Sequence, residues 1–175
     1  MKNPNVYRIR LGKDSYERNK CIENSTVAVM IHSGSKEFYD KNDKAGFVKW
    51  CEENRKIING IPKNNASSTS QFNVTKTIEN SENDFFIHYY GDELWWTISK
   101  KDFAKWEKSE FDNNKLESYH KLCEPWSNKN KDGELLKLSS LPKELKKIIH
   151  GQRTLIKIND SFNTYIIDLI NGTKE

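Results

Sequence analysis

Flat side chains are what this sequence could most readily use for chemistry. Four of the five tryptophans fall between Trp95 and Trp126, and Phe85, Phe86, Tyr89 and Tyr90 precede them. Trp95 and Trp96 are adjacent, so on a strand they point to opposite faces. Trp126 stands in a polar loop beside Pro125 and is followed by Ser127 and Asn128, whose side chains can hydrogen-bond an edge. Such rings either fill a core or line an opening that holds a planar ligand.

Other chemistries have thinner support. The four histidines (His32, His88, His120 and His150) are isolated from one another in sequence, and no HExxH, GxSxG, paired-cysteine or phosphate-loop motif occurs. A metal-dependent nuclease needs carboxylates and a lysine converging at a strand end. The nearest set is Asp132 with Glu144 and Lys146, and the last two also read as ordinary residues of a helix's first turns. Cys21, Cys51 and Cys123 are odd in number and widely spaced, which fits small buried side chains in a reducing compartment. Neither Cys51 nor Cys123 has a setting that would lower a thiol pKa. No catalytic residue, cofactor or metal is expected.

Composition sets the scale. At 175 residues one domain is expected, with a core large enough to need no disulfide or metal. Hydrophobic residues make up 35% and charged residues 31%, so a thin core leans on the aromatics. The net charge of +4 and calculated pI of 8.8 permit a nucleic-acid partner without requiring one. No apolar run approaches the roughly 18 residues of a membrane span, and no signal peptide is read at Met1. The expectation is a cytoplasmic protein without a membrane partner.

The elements that would position these residues follow from periodicity. Val6 to Leu11 alternates, which predicts a strand with Tyr7, Ile9 and Leu11 inward and Arg8 and Arg10 outward. Asp14 or Ser15 caps a short helix to Asn24, and Thr26–Ile31 is a central strand leaving through a polar loop, His32 to Ser35. A helix runs from Asn42 or Asp43 to Ile58, stopped by Asn59-Gly60, and a second from Gln71 to Asn80 behind Ser70. Aromatic strands on either side of Gly91-Asp92 predict a hairpin. Lys100 to Lys108 reads as a helical turn around Phe103 and Trp106, Glu117 to Cys123 as a strand, and Leu135 to Leu138 as a short one. A helix after Pro142 ends at His150-Gly151. A last strand covers Thr154–Ile158, and Asp160 or Ser161 caps a final helix, about 160–171, that could be an appendage or a linker to a further domain. The class is α+β: a small mixed or antiparallel curved sheet or barrel with peripheral helices.

At these residues a family resemblance emerges. Tyr7-Arg8-Ile9-Arg10-Leu11-Gly12-Lys13, followed by a short helix and strand, resembles the opening of small domains in prokaryotic restriction and defence proteins. Leu94-Trp95-Trp96-Thr97, Pro125-Trp126-Ser127-Asn128 with Asp132-Gly133 and Leu135, and Tyr165-Ile166 with Leu169-Ile170-Asn171-Gly172 resemble later segments of that group. It is placed in the PUA-like superfamily, beside the EVE and YTH domains. The resemblance implies a non-catalytic module that holds a modified, flipped base in an aromatic pocket, with DNA favoured over RNA and a nuclease or NTPase subunit as partner. It departs from the pattern at Met30 to Gly34, and Glu124 stands just before the Trp126 loop.

On that reading the pocket residues are Trp126, Ser127, Asn128 and Trp96, with His32, Ser33 and Gly34 supplying a further wall or edge. Arg8, Arg10, Lys129, Lys131 and Arg153 are the phosphate contacts, each with a solvated charge as its plain alternative. Stacking contributes ~1–3 kcal/mol per base. The alternatives are a metal-dependent nuclease on the same scaffold, an RNA-binding domain and a protein-interaction domain. The sharp form of the preferred reading is an uncovered Trp126 at the mouth of a basic hollow.

Overall fold

The computed structural model describes residues 4–12, 17–54, 65–111 and 114–173. Its elements are β1 (Val6–Ile9), α1 (Arg18–Asn24), β2 (Thr26–His32), α2 (Lys36–Asp40), α3 (Lys44–Asn54), α4 (Asn65–Glu79), β3 (Phe85–Tyr90), β4 (Glu93–Phe111), β5 (Asn114–Cys123), α5 (Lys143–Ile149), β6 (Leu155–Lys157) and α6 (Asp160–Asn171). The class is the expected one, α+β with a mixed sheet and peripheral helices. The strands are hydrogen-bonded in the order β2-β5-β4-β3-β1-β6. The sheet is mixed because β1 runs parallel to β3 but antiparallel to β6.

By its contacts the chain divides into two compact units. The first comprises Met1–Val27, Ser81–Asp102 and Leu122–Glu175, the second Ala28–Asn80 and Phe103–Lys121.

The first unit is built on the β3–β4 hairpin. Its register pairs Tyr90 with Glu93 and His88 with Trp95, leaving Gly91-Asp92 as a two-residue turn. Gly91 takes φ 59°, the left-handed region that a side chain disfavours, and Asp92 accepts hydrogen bonds from the Ser139 amide and hydroxyl at 2.7 Å each. Those bonds hold the Asp92 carboxyl below its usual range. One face of the hairpin, with Phe85, Ile87 and Leu94, joins Val6, Leu145, Ile149, Ile166 and Ile170 in a buried cluster. Helix α6 is therefore part of this core through Ile166 and Ile170 rather than an appendage. Asn159, one residue before the predicted caps, accepts from the Phe162 amide at 3.1 Å.

The second unit packs α3 and α4 around Ile31, Tyr39, Phe47, Cys51 and Phe72. Helix α4 starts earlier than predicted and runs through Ser67 to Ser70, residues that usually compete with a helix. Thr75 and Thr77 avoid that competition by bonding back to the carbonyls of Gln71 and Asn73 at 2.9 Å. Of the predicted loop from His32 to Ser35, His32 ends β2 and Ser33–Ser35 form a single 3-10 turn opening α2, a helix too short for periodicity to reveal. The predicted helical turn at Lys100 to Lys108 is instead strand, continuous with β4 to Phe111. Phe103 and Trp106 each pack on Tyr119 of β5 at 5.1 Å, and sheet pairing overrides the helix-favouring lysines. The predicted caps Asp14 and Ser15 and the stop at Asn59-Gly60 lie outside the described residues.

Candidate functional site

Trp126 is not uncovered. It is 7% exposed, and its indole N–H donates to the Thr26 carbonyl at 2.8 Å. The chain on either side is tied down: the Cys123 amide bonds Ser25, the Glu124 amide bonds Ile98, and Thr97 Oγ1 donates to the Glu124 carbonyl. This corrects the expected pocket wall. The indole is a buried anchor for its loop, because a ring whose one polar atom finds a backbone acceptor can be buried entire.

Its neighbours are mostly engaged as well. Ser127 exchanges backbone hydrogen bonds with Trp96 at 2.8 and 3.0 Å, while its hydroxyl donates to the Lys129 carbonyl and accepts from the Lys129 amide. Trp96 donates to the Lys129 carbonyl at 2.8 Å and packs on Phe85 at 6.2 Å, on the core side of the hairpin. Neither offers the open wall or edge expected of it. Asn128 differs: its amide nitrogen donates to Glu93 Oε2 at 3.1 Å. His32, Ser33 and Gly34 belong to the second unit. There the His32 ring tilts against Trp50 at 6.2 Å, and a Cβ on Gly34 would lie 2.1 Å from that indole. Gly34 is thus a packing glycine with an indole laid over it.

Among the phosphate contacts, Arg8 needs correction. Its side chain is fully buried and its guanidinium donates to the Gly151 carbonyl. Burial, and then the neighbouring Arg10, bring its pKa down to about 10. It faces inward because Val6 and Arg8 share the side of β1 that meets the core. Arg10 donates to the Gln152 side chain at 3.2 Å, while Lys129, Lys131 and Arg153 are exposed. Of the nuclease set, Asp132 packs against Gly172, Lys146 donates to the Ser139 carbonyl at 3.1 Å, and Glu144 is exposed. Among the described residues no three His, Cys, Asp or Glu side chains gather as metal ligands.

None of the three cysteines is in a disulfide, and all three are buried. Burial pushes the Cys123 thiol up to about 12, against the smaller opposing effect of Thr97. Native protein at pH 8 should therefore resist iodoacetamide at all three positions and react at all three once denatured. Modification of Cys123 in the folded state would contradict its burial.

The face of the hairpin turned away from the aliphatic core carries a feature the sequence reading missed. The register sets His88, Tyr90, Glu93 and Trp95 on one side. The first residue of α1, Arg18, lays its guanidinium carbon 4.5 Å from the centre of the Tyr90 ring and 4.9 Å from that of Trp95. Trp95 N–H donates to Glu93 Oε2 at 2.9 Å, the same oxygen that accepts from Asn128. Tyr90 remains 58% exposed. A cation over two rings fixes all three groups and leaves a π surface in water, flanked by a carboxylate. Only adjacency in the fold unites Arg18 with Tyr90, so no spacing in the sequence marks the set; the outward half of the Trp95-Trp96 pair was its one visible sign.

Compared with protein-family models, curated proteins and solved structures, the chain matches none of them.

Proposed function

We propose that this chain is a non-catalytic nucleic-acid-binding module that stacks one unpaired base on Tyr90 beside Arg18 and Trp95. The observation that carries the reading is the Arg18 stack on two rings, with Tyr90 58% exposed. Aromatic rings and guanidinium planes are the surfaces on which splayed bases stack. Arg10, Lys129, Lys131 and Arg153 supply salt-dependent contacts to phosphate, which add affinity without reading sequence. The resemblance to PUA-like domains supports the finer parts of the proposal: DNA rather than RNA, a modified base as target, a defence system in the cytoplasm, and a nuclease or NTPase as separate partner. Three cysteines outside any disulfide are consistent with that compartment.

An open ring discriminates weakly, since one methyl on a base adds about 0.8 kcal/mol when buried. Affinity for unpaired bases is therefore the first property to measure. Tyr90→Ala and Trp95→Ala should each weaken binding of a fluorescent single-stranded oligonucleotide at low salt by roughly 10- to 100-fold, the loss of one stacking contact. Their urea midpoints should fall only modestly, since each gives up a cation–π contact with Arg18 worth about 0.5–1 kcal/mol and Trp95 is half-buried. Failure of the intact protein to bind any oligonucleotide at low salt would replace this reading with a protein-interaction domain. A panel of duplexes with modified cytosines or adenines against plain ones then tests the finer target.

A further inference from the structure

The groups around the exposed ring carry an inference about which base is preferred, and it rests on the stacking reading above. Glu93 stands directly across the hairpin from Tyr90. Its Oε2 accepts from Trp95 Nε1 at 2.9 Å and from Asn128 Nδ2 at 3.1 Å, so the carboxylate is held by two donors. An ionised carboxylate only accepts hydrogen bonds. Asn128 spends one amide N–H on Glu93 and retains its second N–H and its carbonyl oxygen. Of the polar groups beside the ring, the carboxylate is the one that can only accept.

We infer that Glu93, oriented by Trp95 and Asn128, selects stacked bases that offer an exocyclic amino group at this edge, cytosine above all, over uracil or thymine. The 4-amino group of cytosine donates to Glu93 Oε1, as carboxylates accept from that group in duplex readout. The 4-oxo group of uracil sets an acceptor against an acceptor, and desolvating two facing oxygens without a proton between them is unfavourable. Cytosine and uracil also differ at N3, an acceptor in one and an N–H in the other, but their rings are of equal size, so stacking contributes almost equally to both and the preference reports the polar edge.

The test compares deoxycytidine and deoxyuridine homo-oligonucleotides of equal length by fluorescence anisotropy at low salt and neutral pH. The intact protein should bind the cytosine strand about tenfold more tightly, the lower end of what one good edge contact contributes. Glu93→Gln, whose amide can both donate and accept, should bring the two affinities within about twofold of each other. Its circular dichroism spectrum and thermal midpoint should match the parent, because Glu93 is exposed. Equal binding of the two strands by the intact protein, or a preference for uracil, overturns the edge selection and leaves the stacking surface standing. Binding of neither strand overturns both. Retention of the tenfold preference in Glu93→Gln would assign the preference elsewhere and remove Glu93 from it.

Discussion

Trp126→Ala should lower the unfolding free energy by about 3–5 kcal/mol, the range for truncating a buried tryptophan to alanine. Two losses combine in that figure. The indole removes a large apolar surface from water, and it is the donor to the Thr26 carbonyl at 2.8 Å. Alanine leaves both a cavity and an acceptor short of a partner. Domains are commonly stable by only 5–15 kcal/mol, so a fall of this size should move the urea midpoint far down with little change in slope. Trp95→Ala, half-buried on the outward face, should cost much less, about 1 kcal/mol, and appear chiefly in binding. The pair of variants thus separates an indole that holds the fold from one that is available to a partner. A Trp126→Ala protein within about 1 kcal/mol of the parent would falsify the anchor assignment.

Acidification should act through His88. The ring is 3% exposed and its Nδ1 lies 3.1 Å from the Ile9 carbonyl, an acceptor, so Nδ1 carries the proton. Nε2 is buried without a partner, and a second proton there would make a buried cation. Burial first, and then Arg18 and Arg8, lower the pKa from 6.5 to about 4, outweighing the bond to Ile9. Unfolded protein takes up this proton near pH 6.5 while folded protein refuses it until about pH 4. Stability from this group is therefore complete above pH 6.5 and is lost as the pH falls through that window, by up to about 3 kcal/mol. Carboxylates titrate in the same range, so the measurement is the difference between two proteins. Urea unfolding from pH 7 to pH 4 should show a shallower fall for His88→Asn than for the parent. Parallel curves would mean that His88 is protonated in the fold as readily as out of it.

Local patterns were legible in the sequence, and long-range packing was not. The hairpin at Gly91-Asp92, the strand of Val6, the helix closed by His150-Gly151 and the mixed α+β class all follow from periodicity and turn residues. The extension of β4 to Phe111 does not, because Lys100 to Lys108 favours a helix until Tyr119 supplies a partner for Phe103 and Trp106. Arg8 alternates like a surface residue, yet the face it shares with Val6 is the one that α5 and α6 cover. For Trp126, a polar loop suggested exposure, but a single backbone carbonyl decided its burial. At the site, Asn128 is among the residues the sequence singles out, but of the tryptophan pair the sequence points to Trp96 while Trp95 is the one that faces outward, since alternation alone does not say which face is covered. Arg18 and Glu93 owe their place to a helix and a hairpin meeting in space.

The pairing of β1 with β6 has a consequence for the order in which the molecule can be made. The Ile158 amide bonds the Val6 carbonyl, and Asn163 reaches the Pro4 carbonyl at 2.8 Å across a separation of 159 residues. On the ribosome, the first strand emerges long before the segment that completes its outer edge. The backbone groups of β1 on that side wait until Leu155–Lys157 has been translated, and contacts of such long span close slowly. Proline at position 4 and the charged Arg8 and Arg10 beside it are the kinds of residue that keep a waiting edge from pairing with the wrong strand.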